Sequence, residues 1–304
     1  QFACMVIAGY ICRSALLPFV TDIYGDNYPP DKRATYFSKP LLLSVGVAAL
    51  SGFVGSWFLE SDIKNYHWIF TFLGFCAIAK AFAIYSMPSK TVENTPHTHP
   101  FGNMKYVWLD KSFGYVLLTW FIMGFANLWT LPLRVDYITA PEWGIEGSAI
   151  FVAMIITVIP ETLRMLLIPY WASLFDRMNF VVLRMILNLF FGLGVLLFFV
   201  TSNPWVIGLG AALIGAAFAG GSIAWNLWVT KYAPPGKTGA YMSVHVSLTG
   251  IRGTIGPILG YWTVNQIGAQ NIGILSCAMM FFATLMLIPE IKHGRNMLLK
   301  GKSL

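Results

Sequence analysis

Long apolar runs alternate with short polar stretches along the whole chain, and the polar stretches are too brief to hold domains of their own. A bilayer core is crossed by about 20 predominantly apolar helical residues. Nine runs reach that length, at roughly 2–23, 40–59, 66–87, 113–133, 148–170, 180–201, 204–230, 240–264 and 270–289. They break at Tyr28-Pro29-Pro30, Ser202-Asn203-Pro204 and Ala233-Pro234-Pro235-Gly236, where proline and glycine end a helix. The pattern predicts an all-α, polytopic membrane helix bundle whose short connections make successive helices antiparallel neighbours.

Composition agrees. Of 304 residues, 57% are hydrophobic and 11% charged, and the mean hydropathy is +0.65; so few charges do not cover a soluble surface of this size. The net charge of +7 raises the question of nucleic acid, but the basic residues form no patch. Thirteen (Lys32, Arg33, Lys39, Lys90, Lys105, Lys111, Arg177, Lys231, Lys237, Lys292, Arg295, Lys300 and Lys302) fall in one set of alternate loops and the tail. The opposite set holds Lys64 and Arg134 with the acids Glu60, Asp62, Asp136, Glu142 and Glu146. That asymmetry predicts a cytoplasmic C-terminus, with the first run crossing inward from the outer face. Cys4, Cys12, Cys76 and Cys277 lie in apolar runs without metal spacing and read as small buried hydrophobes.

The segment Tyr28-Pro29-Pro30-Asp31-Lys32-Arg33-Ala34-Thr35-Tyr36-Phe37-Ser38 recurs 205 positions on, as Ala233-Pro234-Pro235-Gly236-Lys237-Thr238-Gly239-Ala240-Tyr241-Met242-Ser243, with Pro, Pro, Lys, Tyr and Ser in register. A period near 200 residues suits a duplicated bundle of about six helices. Six runs follow residue 111 and three precede it, so the repeat leads us to expect a fragment lacking three of twelve helices. Here the chain resembles the major facilitator superfamily over all visible helices, taken as family helices four to twelve of a 6+6 fold. The resemblance divides the chain into 1–87 (second part of an N-terminal bundle), 88–112 (central cytoplasmic loop), 113–289 (complete C-terminal bundle) and 290–304 (tail). A second signature, Ala172-Ser173-Leu174-Phe175-Asp176-Arg177-Met178-Asn179, is similar to the family's Gly-x-Leu-Ala-Asp-Arg-x-Gly loop, with Ala172 and Asn179 replacing the glycines and Asn179 suited to a left-handed turn. In the family this aspartate pairs with basic groups and helix ends to latch the cytoplasmic gate. The resemblance thus gives Asp176 and Arg177 a gating role, against an ordinary helix cap.

Gly250, Gly253, Gly256, Pro257 and Gly260 put a stripe of small residues along one run, which reads as close helix packing. Ionisable residues inside the runs are costly, about 2.5–3.5 kcal/mol each on insertion scales, and each needs a reason. Arg13 and Arg252 are central and suit a cavity-facing role, as substrate grip or ion pair. His245, Thr249 and Arg252 share a face, where His245 is either a proton relay or a neutral histidine bonded to a neighbour. Glu161 and Arg164 are spaced to pair within a helix, with Glu161 alternatively a protonatable coupling group. Lys80 and Arg184 lie near helix ends and read as snorkelling. Asn127 with Trp129, and Trp225 and Asn226 with Trp228, suit sugar-like or amphipathic ligands on helices that face the cavity in the family.

No HExxH, GxSxG or Gly-rich phosphate loop is present, and His97 and His99 alone read as a solvated linker, so no enzyme chemistry, cofactor or metal is expected. The expectation is a monomeric secondary transporter acting by alternating access on a small solute, anionic or sugar-like, with a proton as candidate co-substrate. Its other partner is the lipid bilayer. An intramembrane enzyme, a channel and a receptor are the rivals.

Overall fold

The computed structural model describes residues 2–88, 102–143, 145 and 147–292, and among them no strand occurs. The helices in chain order are α1 (Phe2–Asn27), α2 (Arg33–Ser61), α3 (Tyr66–Tyr85), the single turn α4 (Tyr106–Leu109), α5 (Lys111–Thr130), α6 (Leu133–Thr139), α7 (Ala149–Ala153), α8 (Ile159–Arg177), α9 (Phe180–Phe199), α10 (Pro204–Leu227), α11 (Thr238–Ile267) and α12 (Ala269–Met286). Each of the nine apolar runs is occupied by one of the long helices. The run at 148–170 is built from α7 and α8, joined through a π-helical turn at Met154–Val158. That wider turn sits just before Pro160, which has no N–H to give to the regular ladder.

Among the described residues, six helical stretches are long and apolar enough to cross a membrane: Tyr66–Tyr85, Lys111–Thr139, Ile150–Arg177, Phe180–Phe199, Pro204–Lys231 and Ala269–Glu290. α11 is 30 residues long but falls outside that set, because His245, Arg252 and its glycines and hydroxyls lower its hydropathy. The crossings of α1 and α2 rest on the sequence. The protein is thus an all-α, multi-pass helix bundle, with six of the nine expected spans qualifying on length and hydropathy.

α10 packs between α8 and α9, α12 lies against α9 and α5, and α11 closes on α5. α1 docks on α11 and α2 on α8, while α3 buries none of its side chains. One core cluster gathers Phe113, Trp120, Phe175, Phe180 and Trp228 with Ala34 and Phe37 of α2. A second, toward the other end, holds Tyr137, Phe198, Phe199 and Ile207. Of the four cysteines only Cys277 is buried; Cys4, Cys12 and Cys76 are exposed, since an apolar residue on a membrane helix can face lipid as readily as core.

The small-residue stripe is used only in part. A Cβ at Gly260 would come within 2.5 Å of the Trp129 carbonyl oxygen, and one at Gly256 within 3.0 Å of Leu128 Cβ, so these two let α11 approach α5. Gly250 and Gly253 face open space; Gly253 lies seven residues from Gly260 and so almost in line with it, but no neighbour approaches α11 at that point. Gly260→Val is therefore expected to cost about 1–3 kcal/mol through overpacking, and Gly253→Val to change stability by less than about 0.5 kcal/mol, as a surface substitution. Thermal unfolding of the purified protein in detergent checks both; equal losses at the two sites would contradict the α5–α11 packing.

Candidate functional site

At the basic end, the two copies of the sequence repeat open α2 and α11 in the same way. Lys32 and Lys237 are the residues before each helix, with φ −132°, ψ 12° and φ −117°, ψ 7°. Ser38 Oγ donates to the Thr35 carbonyl at 2.9 Å, and Ser243 Oγ to the Ala240 carbonyl at 2.7 Å. Amides in a helix's first turn have no intrahelical acceptor, and in each copy a carboxylate from another helix supplies one. Asp176, at the end of α8, accepts from the Ala34 and Thr35 amides at 2.8 Å each and from Thr35 Oγ1 at 2.7 Å. Asp22, on α1, accepts from the Gly239 amide at 2.6 Å. Ala34 and Gly239 are the same position of the repeat.

Arg33 and Lys231 lie within electrostatic reach of Asp176, and Arg33 itself donates to the Gly25 carbonyl at 2.7 Å and the Tyr28 carbonyl at 3.2 Å. Asp176 is thus held by a helix end with basic groups in electrostatic reach, whereas Arg177 is exposed. Asn179 has φ −58° and ψ 121°, not a left-handed turn; its side-chain oxygen caps α9 by accepting from the Val181 amide. The glycine-like conformation is unnecessary because a helix begins there directly.

Between α1–α3 and the remaining long helices lies a cavity of about 810 Å³. Arg13, Asn127, Arg164, Trp225, Asn226 and Arg252 all line it, as do Lys80 and Arg184. Among the described residues, five cations and no carboxylate line this space. Glu161 lies outside the lining but pairs with Arg164 at 3.2 Å, and Arg164 also donates to Ser222 Oγ at 3.1 Å. His245 is behind the wall and 1% exposed, boxed by Trp120, Trp225 and Trp228 at ring separations of 5.2–5.4 Å.

The polar–aromatic groups divide. Trp129 turns away to donate to Thr263 Oγ1 at 2.9 Å, and Trp228 is fully buried in an aromatic stack with Phe113 and Trp120. Asn127 accepts from Arg134 at 2.8 Å. Two arginines lie elsewhere than the sequence pattern predicts. Arg134, assigned to an outer loop, is 7% exposed and reaches back to the cavity wall. Arg184, assigned to snorkel, is 2% exposed with its guanidinium 3.5 Å from the Trp120 ring centre. The signal for Arg184 was available: it is the lone charge in the 20 residues of α9. His97 and His99 lie outside the described residues.

The fold and site define a multi-pass helix bundle with two related helix starts captured by carboxylates and a charged cavity. The sequence profile of the Major Facilitator Superfamily matches residues 2–251 and, again, 137–302. The chain belongs to that family, whose members are secondary transporters. A search of curated proteins gave no match.

Asp176→Ala removes the acceptor for three donors at the start of α2, a cost of about 1–3 kcal/mol. Hydrogen exchange of residues 33–38 is expected to speed up by about tenfold or more, with Asp22→Ala doing the same at residues 238–241. Unchanged exchange in both variants would show that the two carboxylates hold nothing shut.

Proposed function

We propose that this protein carries a small organic anion across the membrane by alternating access. The observation that supports this reading is the charge of the cavity: Arg13, Lys80, Arg164, Arg184 and Arg252 line it without a carboxylate among them. Ionised groups at membrane depth persist where they face a cavity or a partner. Among the described residues only Arg164 of the five is paired to a carboxylate, that of Glu161, and the excess of cations attracts anions selectively. Phe191, Phe218 and Trp225 supply an apolar wall beside the charges, which fits an amphipathic anion better than a polyol.

The two captured helix starts supply the moving part. With the basic end taken as cytoplasmic, Asp176 and Asp22 hold the inner gate shut, and a rocking motion releases them together. The Glu161–Arg164 pair offers the coupling element: a proton taken by Glu161 ends the ion pair and frees Arg164 to meet the anion. Proton and anion then travel in the same direction.

Thermal stabilisation of the full-length protein by a panel of anionic, neutral and cationic solutes tests the cargo class. Anions are expected to raise the melting temperature, and a response limited to cations or neutral sugars sinks the reading. In proteoliposomes, Glu161→Gln is expected to lose acceleration of uptake by an inward proton gradient while keeping anion exchange. Full retention of that acceleration removes Glu161 from coupling.

A further inference from the structure

Arg184 and Arg252 enter from different helices and meet on one turn of α5. The Arg184 guanidinium lies over Trp120, and its Nη2 is 2.9 Å from Met123 Sδ. Arg252 Nη1 donates to the Trp120 carbonyl, and Nη2 to Thr249 Oγ1 at 3.1 Å. Gly124 makes room for this, since a Cβ there would overlap the Arg252 guanidinium. The two side chains are 2% and 5% exposed, the Arg252 charge reaches Arg184, and both still line the cavity.

What they touch is a ring face, a thioether, a carbonyl and a hydroxyl. These contacts fix the two forks in place and neutralise neither. Each guanidinium has five N–H donors, and Arg252 Nε is buried without an acceptor. Like charges that share an apolar wall with no counterion are expensive to hold. The missing element is an acceptor with several oxygens and at least one negative charge, which is the geometry a guanidinium fork recognises best.

We propose that Arg184 and Arg252 form a twin-guanidinium seat for the oxyanion head of the cargo, a carboxylate or phosphate, while an apolar body lies against Phe191, Phe218 and Trp225. This rests on the anion-carrier reading and sharpens it. The head is held by α9 and α11 over the Trp120–Gly124 turn, and the body extends along the aromatic wall.

Isothermal titration of the full-length protein in detergent tests the seat, with phenyl phosphate, benzoate and inorganic phosphate as anions and benzyl alcohol and benzylamine as neutral and cationic counterparts. Phenyl phosphate or benzoate is expected to bind, with inorganic phosphate at least tenfold weaker. Arg184→Gln and Arg252→Gln each weaken binding at least tenfold, and the corresponding lysine variants recover part of it. A second readout separates a seat from a strut: without ligand, the glutamine variants melt at or above the wild-type temperature, because an uncompensated charge has gone. Anion affinities within threefold of wild type in both glutamine variants overturn the seat while leaving the carrier reading intact. Failure of both organic anions to bind the wild type overturns the seat, and binding of benzylamine or benzyl alcohol instead overturns both readings. Variants that melt well below wild type and keep an unchanged anion response mark the arginines as structural, which also overturns the proposal. Inorganic phosphate binding as tightly as phenyl phosphate removes the apolar body from it.

Discussion

The first turn of a helix presents amides that its own backbone does not satisfy, and where a helix starts inside a bundle those amides need an acceptor from elsewhere. In this molecule α2 and α11 both start against other helices, and Asp176 and Asp22 provide the acceptors. The carboxylates also meet the positive end of the helix dipole. These contacts accompany the docking of α2 on α8 and α1 on α11, and those pairings set α1 and α2 against the far side of the cavity. A bond of this type is strong enough to fix one arrangement and weak enough to be given up, since its net worth is a few kcal/mol at most.

The same helices carry the cavity's charge. α1 bears Arg13 and Asp22, α8 bears Arg164 and Asp176, and α11 bears Arg252 and the captured Gly239 amide. From Gly239 to Arg252 is about 20 Å along a helix at 1.5 Å per residue, so one rigid element spans latch and cavity. In the proposed cycle an anion drawn onto the arginines acts on the same helices that carry the Asp22 and Asp176 contacts, without a separate relay between the two. Family membership supplies the general function, secondary transport; the cargo's charge is argued from the side chains.

The buried arginines run against the ordinary economy of a fold. Arg134, Arg184 and Arg252 are each less than 8% exposed, and they donate to an amide oxygen, a thioether, a carbonyl and a hydroxyl. A fold optimised for stability alone would place leucine or methionine at such positions. Local rules broken without a local gain point to function, and here the broken rule is charge without countercharge.

Much of this was legible in the sequence, because lipid imposes strict demands on local pattern. Nine runs of bilayer length, the Pro-Pro repeat and the Asp176 loop are matters of spacing along the chain, and the helices fall where the runs lie. Arg13, Arg164 and Arg252 were legible too, since a charge in the middle of an apolar run has few other places to go than a cavity. Depth along a helix is written in the sequence, but the direction a side chain faces is not. Arg184 sits near the end of α9 yet turns onto Trp120, Gly256 and Gly260 pack while Gly250 and Gly253 do not, and His245 retreats behind three tryptophans that it does not adjoin in the chain. Those outcomes belong to helix rotation and pairing, which are set by the summed packing of neighbours distant in sequence, and only the assembled bundle decides them.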